Sequence, residues 1–360
     1  MRIIMIRWKH MNDTQANNRQ TKLLEFLSVN SPSSRSRVET LLKDDHVSRI
    51  TIIRDLNYLV SVGLIEQVGG GKYVEYRLKP EKELLIPIDL EKYFSTITDT
   101  RKIKYPAFNL NLINRLAGLF SKDELGLFEQ GRGKLKNKFS SLDKTILKRE
   151  LERFTIELSW KSSQIEGNTY SLLETEELII NKKEARGHDK SEAIMILNHK
   201  MAFDTILEKR KSFKEITIVD IRMIHSKLVR GLDIKSGIRE SAVGITGTKY
   251  LSLDNKWQIE EALNELMVQT KKIKSVPEKA LIFLAVISYL QPFTDGNKRT
   301  SRMISNAVLL ANGYYPLSYR SVDEVEYKKA LILFYEQNNL YHLKRIFLEQ
   351  QLFAIENYFL

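Results

Sequence analysis

Cysteine does not occur in the chain. That excludes disulfides, cysteine nucleophiles and thiolate metal sites, and it fits a reducing compartment. No apolar run approaches the ~20 residues a membrane-spanning helix needs, and no internal repeat or low-complexity tract stands out. The first apolar stretch is interrupted by Arg7 and is followed by no small-residue cleavage site, so no signal peptide is expected. The expected location is cytoplasmic, with no membrane partner. What the chain does hold is 360 residues, 42% apolar and 28% charged, a composition that folds and buries a core in two or three domains. Its formal net charge of +12 points to a polyanionic partner, either nucleic acid or nucleotide.

Residues 1–17 turn polar after Met11 and carry no period, which predicts a flexible leader. Residues 18–79 read as three short helices followed by two strands around Gly69-Gly70-Gly71-Lys72, the element order of an α+β winged helix-turn-helix domain. Helix one carries Leu23, Leu24, Phe26 and Leu27, and helix two carries Val38, Leu41 and Leu42. Helix three opens near Ser48, sets Ile53, Leu56 and Val60 at helical spacing and stops at Gly63. That register leaves Ser48, Arg49, Thr51, Arg54 and Asn57 for a DNA major groove, with Lys72 and Arg77 reaching from the wing. Over these first 79 residues Lys and Arg outnumber Asp and Glu by five. Residues 80–138 predict a helical connector. From 139 to 360 the pattern is almost wholly helical, beginning with Leu147, Leu151, Phe154 and Leu158 on one face.

The densest chemistry lies in Gln291-Pro-Phe-Thr-Asp-Gly-Asn-Lys-Arg-Thr-Ser-Arg302. Ala280 to Leu290 is apolar nearly all round, so a buried helix delivers its end here. Asp295-Gly296-Asn297 is a turn sequence, and a helix runs from about Arg299 to Ala311 before Gly313. Its free amides and positive dipole end predict an anion site. Arg299 and Arg302, three residues apart, reach one face and can grip phosphates. Asp295 at the mouth can hold Mg²⁺ shared with phosphate oxygens, and Phe293 is the expected core anchor.

These twelve residues resemble the signature of the Fic family of AMP-transferring enzymes, His-x-Phe-x-Asp/Glu-Gly-Asn-Gly/Lys-Arg-x-x-Arg. The resemblance implies a mainly α fold with a small β-hairpin flap over 139–360, an ATP and Mg²⁺ requirement, and transfer of AMP to a Ser, Thr or Tyr hydroxyl of a target protein. It assigns Asp295 to Mg²⁺, Asn297 and Arg299 to the inner phosphates and Arg302 to the terminal one, with Phe293, Gly296 and Lys298 completing the nucleotide site. Lysine at 298 also occurs in a branch that transfers the terminal phosphate, so two transferred groups stay open. Ser162-Ser-Gln-Ile-Glu166-Gly167 is similar to the family's inhibitory element, expected on a helix over about 143–168, where Glu166 would neutralise Arg302. The stretch 239–252, with Val243, Gly244, Ile245, Thr246, Gly247 and Tyr250, resembles the target flap, a hairpin that pairs with the modified segment as an added strand.

One position departs from the pattern. Gln291 stands where the family has its proton-accepting histidine, and an amide is not basic at neutral pH. Loss of a general base lowers rates by about 10² to 10⁴, so very weak or no transfer is expected. Among the other histidines, His199 and His225 read as packing or capping residues, and His10, His46, His188 and His342 lie in polar or terminal contexts. The alternative is a nucleotide-sensing transcription regulator whose Fic domain only binds ATP. Expected partners are therefore ATP, a target protein with an acceptor hydroxyl, DNA through the N-terminal domain, and a second copy of the chain in a homodimer.

Overall fold

A computed structural model describes residues 18–42 and 47–359. The expected leader lies outside these residues. The described chain is mainly helical and separates into two compact units at Thr96–Ile97.

In the first unit, α1 (Asn18–Val29), α2 (Arg35–Leu41) and α3 (Arg49–Ser61) accompany a three-stranded antiparallel sheet. Its strands β1 (Ser33–Ser34), β2 (Ile65–Val68) and β3 (Glu75–Leu78) lie in the order β1-β3-β2. The register pairs Ile65 with Leu78 and Ser33 with Tyr76. Leu23, Leu24 and Leu27 of α1 pack on Val38, Leu56, Leu59 and Ile65 to make one core. Ser48 caps α3 by accepting from the Thr51 amide at 3.2 Å.

The buried stripe of α3 is Ile52, Leu56 and Leu59, one position out of register with the expected Ile53 and Val60, which are half-buried. The cause is Asp55, a charged residue inside the stripe. Its carboxylate accepts from Arg19 Nε at 3.0 Å and Gln20 Nε2 at 2.9 Å, which satisfies the buried charge. Arg49, Arg54 and Asn57 remain exposed as expected, although Arg49 pairs with Glu39 at 3.1 Å and Thr51 is half-buried. Ser48 is exposed, but its hydroxyl serves the cap. The Lys72 side chain lies outside the described residues.

The segment 80–138 is not one connector. Residues 80–96, with a short helix α4 (Leu90–Phe94), belong to the first unit. The rest enters the second, where α5 (Lys122–Ser141) follows a capping box of Ser121 and Glu124 and packs on α14 (Tyr341–Asn357). Phe120 and Phe128 meet Phe347 across that contact.

At the centre of the second unit, α11 (Val276–Leu290) and α12 (Asn297–Ala311) pack along their lengths and are buried on nearly every side. α6 (Lys144–Gln164), α8 (Lys190–Glu208) and α9 (Ile218–Leu228) lie against α12, and α13 (Glu324–Gln337) against α11. Two further helices, α7 (Leu172–Asn181) and α10 (Lys256–Lys272), flank α6 and α11. Among the described residues no helix is long and apolar enough to cross a membrane.

This arrangement predicts that Leu284→Ala, in the fully enclosed α11, lowers unfolding free energy by about 2–5 kcal/mol. Val219→Ala, on the exposed face of α9, changes it by less than about 0.5 kcal/mol. Chemical denaturation of the two variants checks the ranking.

Candidate functional site

α11 stops because Gln291 takes a left-handed backbone (φ 51°, ψ 58°) and Pro292 follows, which lacks the amide needed to extend the helix. The turn that results is closed by Asn297. Its Oδ1 accepts from Phe293 N at 2.9 Å, while its Nδ2 donates to Phe293 O at 2.8 Å and to Gln291 Oε1 at 2.9 Å. Gln291 Nε2 donates in turn to Ser288 O, so both ends of the Gln291 side chain are engaged within the loop. Gly296 starts α12 with φ 80°, a left-handed conformation, and a Cβ there would stand 3.2 Å from Val229 Cγ1. Phe293 is wholly buried, as expected of an anchor, and stacks on His225 at 3.6 Å.

No side chain caps the start of α12, which leaves its first-turn amides without a capping partner. Beside them stand two buried guanidinium groups. Arg299 donates to Asp295 Oδ2 at 3.1 Å, and the other Asp295 oxygen accepts from Gly296 N at 2.6 Å. Arg302 has no solvent-exposed side-chain surface. Its Nε donates to Ser162 Oγ at 2.9 Å, and its Nη2 donates to Ser162 O at 2.9 Å and Glu166 Oε1 at 2.8 Å. Nη1 of Arg299 and Nη1 of Arg302 are both buried without a hydrogen-bond partner among the described residues. Burial opposes the Arg302 cation, but the Glu166 carboxylate outweighs it and raises the arginine pKa. Burial likewise works against the Glu166 carboxylate, and Arg302, with help from Lys298, brings its pKa below the ordinary value. Arg299, with a more exposed partner in Asp295, is shifted down by burial.

Glu166 reaches Arg302 because α6 ends at Gln164 and the chain turns through Gly167 at φ 101°. Ser162 is held by a relay the sequence did not disclose. His199 Nδ1 donates to Met195 O at 2.8 Å, which leaves Nε2 as acceptor for the Ser162 hydroxyl at 3.0 Å. Ser162 is thereby turned to accept from Arg302. His225 Nε2 donates to Asp295 O at 3.0 Å and supports the loop from behind. Both histidines have structural roles, as expected, yet both sit against the motif.

The flap is a correction. Residues 239–252 contain no strand, and only an isolated parallel bridge joins Leu251 to Ala107. Its backbone is committed elsewhere. Arg239 N donates to Pro292 O at 3.0 Å, and the buried Arg239 side chain holds Gln291 O at 2.6 Å and Ser252 Oγ at 2.9 Å. Gly247 O accepts from Arg101 at 2.6 Å, and Arg101 pairs with buried Glu336 at 2.7 Å. Tyr250 is buried and its hydroxyl donates to Tyr289 O at 2.9 Å. Val243 and Ile245 are half-buried, and Gly244, Thr246 and Gly247 are exposed. Arg101 and Glu336 carry no motif or period, so nothing in the sequence pointed to them, and Arg239 lay in the expected flap with no role assigned to it.

The buried histidines give the fold a pH dependence. Burial is the first cause holding His199 down to about 3 and His225 down to about 4. Both are neutral in the folded protein, whereas an unfolded imidazole gains a proton near pH ~6.5. Stability is therefore unaffected above ~6.5 and falls as pH drops toward 4, by up to ~1.4 kcal/mol per pH unit per histidine. His225→Gln, which keeps a donor for Asp295 O, is expected to remove about half of that slope. An unchanged slope in denaturation curves between pH ~6.5 and 4 would contradict the assignment.

Comparison with known proteins follows the same residues. Residues 215–309 match the family model described as Fic/DOC family. Protein adenylyltransferase Fic from Nematostella vectensis is 28% identical over 192 residues, 51% of this chain and 44% of that protein. A probable protein adenylyltransferase from Aquifex aeolicus is 28% identical over 103 residues, 28% of this chain and 32% of that one. The chain thus spans less than half the length of these curated relatives. Among solved structures, Fic-1 from C. elegans superposes with a TM-score of 0.54 at 21% identity, covering 65% of this chain and 70% of that one. A Fic domain-containing signaling protein from Bacteroides thetaiotaomicron gives 0.52 at 20% identity, covering 64% and 96%. At those identities the likeness is one of fold. Residues 215–309, with the Gln291–Arg302 loop and helix start near their end, are a Fic/DOC family domain.

Proposed function

We propose that the second unit is a protein adenylyltransferase scaffold. It binds ATP over the start of α12, directs AMP toward a Ser, Thr or Tyr hydroxyl of a target protein, is restrained by Glu166, and transfers very weakly or not at all because of Gln291. One observation carries the reading. Two buried guanidinium groups, each with an unpaired nitrogen, stand at an uncapped helix start, and each meets a carboxylate, exposed Asp295 on Arg299 and largely buried Glu166 on Arg302.

The residues fit a polyphosphate. The α12 amides and Arg299 suit the inner phosphates and Arg302 the terminal one, while Asn297 keeps the loop in shape. Mg²⁺ fits only in company with the nucleotide. No group of three or more His, Cys, Asp and Glu among the described residues could hold a metal ion, so Asp295 would supply one ligand and the phosphates the rest. Bound there, the ion would neutralise phosphate charge. Glu166 and a terminal phosphate compete for the same Arg302 nitrogen, which is the basis of the restraint. Gln291 cannot accept a proton, and its amide is already bonded to Asn297 and Ser288. Lys298 leaves open whether AMP or the terminal phosphate would move.

A second reading is favoured by the first unit, where α3 exposes Arg49, Arg54 and Asn57 beside Ser48. There the unit is a DNA-binding winged helix and the Fic/DOC domain a nucleotide sensor. Under that reading DNA affinity falls steeply with salt, responds to ATP, and loses about one unit of salt slope in Arg54→Ala.

Transfer of α-labelled AMP separates the two. We expect little or no label with the protein as it stands or with Glu166→Gly alone, and label at least about 10²-fold above that level when Gln291→His is added. No label in any variant, despite ATP binding, would sink the transferase reading and leave the sensor.

A further inference from the structure

The far end of α12 from the motif carries a second concentration of positive charge. The last part of α5, the 3₁₀ turn Arg210–Lys214 and residues 311–313 enclose a cleft of about 430 Å³ lined by Arg132, Lys136, Arg210 and Lys214. Glu129 pairs with Arg132 at 3.4 Å. Among the described residues no carboxylate pairs with Lys136, Arg210 or Lys214.

Arg210 is the fixed member of the group. Its Nε donates to Leu310 O at 2.6 Å, and its guanidinium lies 5.8 Å from the Phe139 ring. The bond to a last-turn carbonyl accounts for Arg210 as a partner of the negative end of α12, a helix with no basic residue of its own in that turn. It does not account for Lys136 and Lys214, which converge on the same cleft. A smaller cavity of about 150 Å³ shares Lys214 and adds Lys271 and Lys279, with Glu215 as the one carboxylate in its lining. Half-burial without a counter-charge lowers the Arg210 pKa, the direction an added anion would reverse.

We propose that this cleft binds a small polyphosphate anion, with Arg210 as a rigid contact and Lys136 and Lys214 closing on the outer phosphates. The volume lies in the range of small-ligand sites. The lining favours phosphate over a nucleobase, because the Phe139 ring already meets Arg210 and Phe359. Arg299 and Ala311 stand 12 residues apart along α12, which puts roughly 18 Å between this cleft and the Arg299 region, so the two sites are separate.

The test uses inorganic tripolyphosphate and the full chain. Titration calorimetry is paired with amide hydrogen exchange to locate binding. The expected result is protection at 132–140 and 209–214, with affinity at that site falling about 10²-fold or more in the double variant Lys136→Gln/Lys214→Gln, the scale for losing two charge-assisted contacts. Both lysines are exposed, so the fold is expected to be kept, and an unchanged melting temperature checks it. Protection confined to 293–302, or protection at 132–140 and 209–214 with equal affinity in the double variant, would overturn the proposal.

Discussion

Arg302 holds a positive charge with none of its side chain in contact with water, and the centre of the second unit is arranged around that fact. A buried guanidinium is tolerated only when anions and acceptors surround it. Here Ser162 supplies two acceptors and Glu166 the negative charge, while the rings of Tyr319 and Tyr327 lie 6.0 and 5.8 Å away. The contact joins the end of α6 to the first turns of α12. It also makes the site exclusive, since a phosphate that satisfied Arg302 would take the place of the carboxylate. Under the proposed function, restraint and recognition are two occupants of one position.

The loop before α12 follows a different logic. Its shape depends on Asn297, on the left-handed backbones of Gln291 and Gly296, and on support from Arg239 and His225. None of these contacts needs a basic side chain at 291. The shape of the loop is therefore independent of a basic group at 291, and glutamine fills the position while bonding within the loop. Under the proposed function, a chain of this kind keeps nucleotide recognition and loses most of the chemistry.

How much of this the sequence discloses varies from one element to the next. The buried helix, the turn and the two arginines three residues apart were legible because they are adjacent in sequence. The Glu166 contact, 136 residues away from Arg302, was legible only through resemblance to a family pattern, since spacing carries no distance across a fold. α3 was found but one position out of register, because buried Asp55 reads as a surface residue until Arg19 and Gln20 are seen to pair with it. The flap was expected as a hairpin from resemblance to a family pattern, which does not show where this chain's backbone bonds go. Those bonds run to Pro292 and Pro106 and to Arg101, long-range partners no local pattern encodes. Phe120 and Phe128 likewise find their place against one another and against Phe347, partners that sequence spacing does not give.

The claim that Glu166 and a terminal phosphate exclude one another at Arg302 is tested most directly by ATP affinity, measured by titration calorimetry in the protein and in Glu166→Gly. Removing the carboxylate leaves a buried cation in search of an anion, so the account predicts affinity higher by about tenfold or more, the scale of one charge-assisted bond. ADP, which lacks the terminal phosphate, is expected to gain less. Equal ATP affinity in both proteins would contradict the account.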